Sequence, residues 1–142
     1  MQRLYIANKN YSSWSMRAWL VLTVFDLDFE EVLVRFDATN PSFKEQLSHI
    51  HANAKVPVLD VGEFKSWDSL AICEYLAEQN SDLALWPKQT HLRAEARSIS
   101  WEMHIRFMAL RQVCPMNIQA QYSIATGKAL WDQHAELRAD VE

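Results

Sequence analysis

Two short segments, Lys55-Val56-Pro57-Val58-Leu59 and Trp67-Asp68-Ser69-Leu70-Ala71-Ile72, constrain this chain more than any other part of it. Proline has no N–H to give to a strand ladder and holds the residue before it in an extended conformation. Val56 is therefore an extended residue at the mouth of an apolar run, and its N–H and C=O need partners other than a neighbouring strand. Asp68 and Ser69 stand where a strand hands over to an amphipathic helix. Unpaired N–H groups and the positive end of the helix dipole attract a carboxylate at such a junction. Together the segments form a backbone clamp beside an anion pocket, suited to a short peptide-like ligand.

The rest of the pattern supplies the frame for that clamp. Leu4 and Ile6 alternate within Arg3–Ala7 and predict a first strand, followed by a polar turn over 8–13. Ala18, Val21, Leu22 and Phe25 recur at helical spacing in a segment that begins near Ser15. Phe29 to Phe36 returns to strand, with Val32 and Val34 on one face. Asn40-Pro41 predicts a helix start, an N-cap with proline at the first helical position, and that helix runs to about Ile50. Val56–Val61, a turn at Gly62-Glu63 and Phe64–Trp67 make a hairpin. Ser69, Ile72, Cys73 and Leu76 share one face of the next helix. The order β-α-β-α-β-β-α gives an α/β fold, a mixed sheet with helices packed on it. Leu85-Trp86-Pro87 closes this unit. Leu92, Ala96, Ile99, Met103, Phe107 and Leu110 then form a single apolar stripe, expected as one long helix ended or kinked by Pro115. Ser123–Glu142 is expected as one further helix.

Composition removes several function classes. With 142 residues, 49% hydrophobic and 23% charged, the chain has ample material for a core. Its formal net charge of −4 leaves no basic stripe for nucleic acid. Gly62 and Gly127 are the only glycines, so neither a P-loop nor a dinucleotide fingerprint is possible. Cys73 and Cys114 lie far apart without CxxC spacing, which points to a reducing, cytoplasmic setting rather than a disulfide framework. The apolar run 18–25 follows a polar, serine-containing segment, stops at Asp26 and is too short to span a bilayer. Neither a membrane nor a nucleic-acid partner is expected. His49 and His51 lack further ligands at suitable spacing, so no metal is expected either. Cys114 has no base close in sequence and makes a poor nucleophile.

The element order, Val-Pro before the third strand and the acid-Ser pair opening the third helix together resemble the glutathione S-transferases. The loop Asn10-Tyr11-Ser12-Ser13-Trp14-Ser15-Met16-Arg17 is similar to the Ser-Ser-Cys-x-Trp-Arg stretch of the zeta class and its bacterial relatives. The resemblance covers essentially the whole chain and is strongest from Leu4 to Pro87. It implies a thioredoxin-like, glutathione-binding domain over 1–80, then the first helices of an all-α C-terminal domain over 88–142. It further implies a transferase that takes glutathione as co-substrate, adds it to a small electrophile and works as a homodimer. A catalytically silent transferase-like binding or scaffold module, or a zeta-like isomerase, is the alternative.

Residue roles follow from the same resemblance. Val56 exchanges backbone hydrogen bonds with the cysteinyl part of glutathione, with Pro57 in the cis form. Asp68 faces the γ-glutamyl amine and Ser69 its carboxylate, while Lys55 and Ser42 lie near the glycyl end. Aspartate is a methylene shorter than the acid or amide more usual before that serine. Trp14, Met103 and Phe107 are expected to line the electrophile pocket. Trp14 stands where the zeta pattern has cysteine, and tryptophan cannot form a mixed disulfide, so the chemistry is conjugation rather than thiol–disulfide exchange.

A free thiol with a pKa of about 8.5 is mostly protonated at neutral pH. Lowering it by about two units takes roughly 2.7 kcal/mol of thiolate stabilisation. A helix N-terminus supplies about 0.3–1 kcal/mol, and a hydrogen bond to a charged acceptor about 1.5–3 kcal/mol. A serine at the start of the first helix offers both. The zeta pattern points to Ser12 and the theta and delta pattern to Ser13, with Ser15 and Tyr11 as lesser candidates. Serines in this position also suit plain N-caps. Helical domains of the family continue beyond two helices, so this chain is expected to be a dimer that covers its fourth helix or a part of a longer protein.

Overall fold

The computed structural model describes residues 1–36 and 42–142. The Asn40-Pro41 helix start lies outside the described residues. The first unit, Met1–Lys88, contains β1 (Arg3–Ile6), α1 (Ser13–Val24), β2 (Glu30–Leu33), α2 (Ser42–Ile50), β3 (Val58–Asp60), β4 (Lys65–Trp67) and α3 (Ser69–Gln79). The four strands form one mixed sheet in the order β2-β1-β3-β4. Strands β1 and β2 are parallel, which requires the crossover that α1 provides. The β1–β3 and β3–β4 pairs are antiparallel. This is the mixed α/β arrangement that the pattern implied, with the thioredoxin-like fold that the resemblance implied.

The alternation in β1 buries Leu4 and Ile6 completely, and they meet Ala18 and Leu22 of α1 and Ile72 and Leu76 of α3. Leu59, in a central strand, completes this core. The β3–β4 turn depends on Gly62, whose φ of 91° is open to glycine and strained for other residues. Its N–H donates to Asp60 Oδ1 at 2.9 Å. Lys65 Nζ donates to the carbonyl of Ile50 at 2.8 Å and so caps the last turn of α2 from β4.

The register decides where the loops go. Tyr5 opposes Val58, and Val58 opposes Trp67. The chain leaving β1, the chain entering β3 and the chain leaving β4 therefore share one end of the sheet. Because β2 runs parallel to β1, with Ile6 opposite Leu33, the chain leaving β2 comes to the same end. The N-termini of α1 and α3 open there as well.

The second unit, Gln89–Glu142, departs from the two long helices expected. It holds α4 (Thr90–Ile105), α5 (Met108–Val113), α6 (Ile124–Gln133) and α7 (Ala135–Val141). Phe107 has the left-handed φ of 64°, which interrupts the ladder between α4 and α5. Arg111 compensates by donating from Nε to the Arg106 carbonyl at 3.1 Å and from Nη2 to the Met103 carbonyl. A similar break falls at His134, where Arg138 Nη1 donates to the Trp131 carbonyl. Helix α5 ends one residue before Cys114-Pro115, in keeping with a proline that blocks continuation. Among the described residues, no helix is long and apolar enough to cross a membrane.

Candidate functional site

Ser12 is the N-cap of α1, and its extended backbone turns its hydroxyl back over the first turn. Ser15 N–H donates to Ser12 Oγ at 3.2 Å, the usual N-cap bond. The two hydroxyl oxygens lie 2.9 Å apart, and Ala7 N–H at the exit of β1 donates to Ser15 Oγ at 3.1 Å. Ser15 is fully buried, whereas Ser12 is only half-buried. Helix α1 thus begins two residues earlier than the periodicity suggested, because the apolar stripe starts after its polar first turn.

Ser12 opens on a hollow of about 330 Å³. Tyr11 and Trp14 wall one side, and Ala54, Lys55 and Val56 border another. Ala7, Phe36, Phe43 and Leu47 form the remaining apolar lining, with the two phenylalanine rings edge to face at 5.3 Å. The Arg17 guanidinium lies 4.3 Å from the centre of the Trp14 ring. A volume of this size, largely apolar with a few polar groups, suits a small organic ligand. Asn8 builds its rim: its carbonyl accepts from the N–H groups of Tyr11 and Ser12, and its Oδ1 accepts from Phe36 N–H at 2.6 Å.

Val56 and Pro57 precede β3, and the peptide bond between them is cis. The backbone N–H and C=O of Val56 have no hydrogen-bond partner among the described residues. Lys55 N–H donates to Asn53 Oδ1 at 3.2 Å, which fixes the approach to the clamp.

At the far side of the same sheet end, Asp68 caps α3. Its Oδ1 accepts from Leu70 N–H at 2.9 Å and from Ala71 N–H at 3.3 Å. It does so from a φ of 82°, an unfavourable region for any residue but glycine, which costs about 1–3 kcal/mol. Ser69 follows at 1% exposure, and its buried Oγ has no hydrogen-bond partner among the described residues. An unmade bond of this kind costs about 1–3 kcal/mol unless something else supplies it. His51 stacks on Trp67 beside this junction, ring centres 4.1 Å apart.

The structure thus gathers Ser12, Trp14, Lys55 and Val56 around one hollow, with Pro57, Asp68 and Ser69 at the same end of the sheet. Ser13 is half-buried at the first position of α1 and is not part of the lining. Met103, on α4, and Phe107, at the break after it, belong to the second unit. Ser42 opens α2, where its Oγ accepts from Gln46 Nε2. Sequence reasoning passed over Asn8, Phe36, Phe43 and Leu47. An asparagine directly after a strand was a legible turn signal, but the three apolar residues meet the hollow only through tertiary packing. Among the described residues, no group of three or more His, Cys, Asp or Glu could hold a metal ion.

Residues 11–79, which span α1, the clamp and all of α3, match the glutathione S-transferase N-terminal domain. This chain belongs to the glutathione S-transferase family through its first domain. It is 37% identical over 97 residues to a probable maleylacetoacetate isomerase of Caenorhabditis elegans, covering 68% of this chain and 44% of that protein. A glutathione transferase homolog from Burkholderia, solved with bound glutathione, is 29% identical with a TM-score of 0.65. That alignment covers 77% of this chain and 56% of the Burkholderia chain. A tau class glutathione S-transferase from mango, at 24% identity and a TM-score of 0.62, covers 93% of this chain and 56% of its own and shares the fold. The chain thus spans about half the length of these family members.

Proposed function

We propose that this family member binds glutathione along the shared end of its sheet and activates the thiol with Ser12 for addition to a small electrophile. The observation that carries this reading is the Ser12 hydroxyl at the N-cap of α1, facing a hollow that it shares with the unpartnered backbone of Val56. Adjacent strands lie about 4.8 Å apart, so the loops leaving β1 and β4 are separated by about 10 Å. An extended tripeptide spans about the same length. In this assignment the cysteinyl unit pairs with Val56 beside Pro57, and the γ-glutamyl carboxylate gives the buried Ser69 hydroxyl its missing partner. Asp68 meets the γ-glutamyl amine with the carboxylate that also caps α3, and the glycyl end lies toward Lys55.

The chemistry is nucleophilic. The glutathione thiol loses its proton to solvent, and the sulfur attacks the electrophilic carbon beside Trp14. With an aryl halide as substrate, a C–S bond forms and the halide leaves with its electron pair. The relationship to a protein named as a maleylacetoacetate isomerase favours a second reading, in which the same thiolate adds reversibly and is expelled again. The proposal includes a cytoplasmic homodimer, supported by two free cysteines and by exposed apolar side chains such as Ile99, Trp101 and Ile105 on α4.

Calorimetry with glutathione and turnover of a chromogenic aryl halide test the reading. Wild type is expected to bind glutathione saturably. Ser12→Ala should keep binding while losing turnover about ten- to hundredfold, the worth of one charge-assisted hydrogen bond. Ser13→Ala should stay within about threefold of wild type. Absence of binding overturns the proposal, and so does full turnover by Ser12→Ala. Binding without any turnover in wild type supports the silent module instead.

A further inference from the structure

We propose that Ser15 is a positioning residue for Ser12, and that the two hydroxyls form a pair of coupled rotors that turns the Ser12 proton outward when a thiolate occupies the hollow. The inference rests on the thiol-activating role assigned to Ser12 and adds a second, buried residue to it.

The argument is a count of protons. A serine hydroxyl has one proton to donate and two lone pairs to accept with. Ser15 Oγ already receives the Ala7 N–H at 3.1 Å, so one lone pair and its own proton remain. Ser12 Oγ receives the Ser15 N–H at 3.2 Å. In this geometry Ser12 donates inward to Ser15 across 2.9 Å. The Ser15 proton then has no acceptor among the described residues, although the residue is fully buried. That is an unmade bond, of the kind that proteins rarely leave in place.

Turning both hydroxyls removes the deficit. Ser15 then donates to Ser12 Oγ, which still accepts the Ser15 N–H, and the Ser12 proton points into the hollow. This second arrangement needs an acceptor outside the pair, and a bound thiolate is one. No proton changes owner and no covalent bond breaks; the two C–O bonds rotate. Accepting a bond from Ser15 also polarises the Ser12 O–H and makes it a better donor. Ala7 fixes Ser15 to the exit of β1, so the donor is held by the sheet rather than by a loop. The Arg17 guanidinium, stacked on Trp14 one turn further along α1, is untouched by this change.

The test compares wild type, Ser15→Ala, Ser15→Thr and Ser12→Ala, each with glutathione. Thiolate absorbance against pH gives the pKa of the bound thiol, calorimetry gives its affinity, and thermal melting reports folding. Ser15→Ala is expected to raise the bound thiol pKa by about one unit, a tenfold loss of thiolate at neutral pH, with affinity within about threefold. Ser15→Thr, which keeps the hydroxyl, should restore it. A purely structural role for Ser15 would lower the melting temperature and leave the thiol pKa alone, which overturns the proposal. If Ser15→Ala does not fold, Ser15→Thr decides, since a thiol pKa in that variant equal to that of Ser12→Ala also overturns it. If wild type binds no glutathione, or Ser12→Ala leaves the thiol pKa unchanged, the reading of Ser12 itself fails.

Discussion

The two units of this chain solve the same problem by different means. In the first, β1 and β3 present Leu4, Ile6 and Leu59 as one apolar surface, and α1 and α3 bury their stripes against it. In the second, α4 runs for sixteen residues without a buried side chain, and Leu137 is the one buried apolar residue among those described. Ile99, Trp101, Ile105 and Met108 stand 55–63% exposed. The helices of the second unit are held locally, by Arg111 and Arg138 reaching back to carbonyls freed at each break. Asp140 Oδ2 adds a tie between α7 and α5 by accepting from Leu110 N–H at 3.0 Å. A periodic stripe therefore predicts a helix in both units, but it predicts a core only where a second surface meets it.

Core truncation should break this comparison most strongly. Leu59→Ala removes a fully buried side chain and is expected to cost about 2–5 kcal/mol in urea unfolding. Ile99→Ala, at 61% exposure, should stay within about 0.5 kcal/mol. Equal losses would mean that the α4 stripe is covered in solution. Arg111→Ala should cost about 1 kcal/mol, read as faster amide exchange over 103–113 with protection of β1 and β3 unchanged.

The smallest expected effect concerns the two thiols. Burial pushes the Cys73 thiol on α3 up to about 11 from its ordinary 9, against an opposing pull from Arg17. Cys114 is exposed. Alkylation near neutral pH should therefore modify Cys114 well before Cys73. The same shift has a defined sign for stability. Below about pH 9 both folded and unfolded chains keep the Cys73 proton, and the neutral thiol costs nothing extra. From about pH 9 to 11 the unfolded chain loses it while the folded chain holds it, so stability should fall across that window. Cys73→Ala should flatten the decline.

Much of the first unit was legible from residue order, because its elements are short and punctuated by Pro57, Gly62 and Asp68. Its candidate site was legible in part. The clamp and the serine loop lie within contiguous motifs, whereas the apolar lining joins Phe36 and Leu47 to Tyr11 only after the sheet has formed. The pairing of Ser12 with Ser15 was hidden for a different reason. Spacing places both at one helix start, but only burial shows that Ser15 faces inward. The breaks in the second unit left little trace, since phenylalanine and histidine do not ordinarily announce a helix end. Their compensating arginines lie several residues downstream and look like ordinary surface charge.

The unpartnered backbone at Val56 has one more consequence. A contact made through the N–H and C=O of a residue is indifferent to that residue's side chain, so spelling at this position is free to drift. What cannot drift is the direct junction of Pro57 with Val58, the first residue of β3. One residue inserted there would turn every inward side chain of β3 to the opposite face. Selection at the clamp therefore acts on reading frame more than on alphabet.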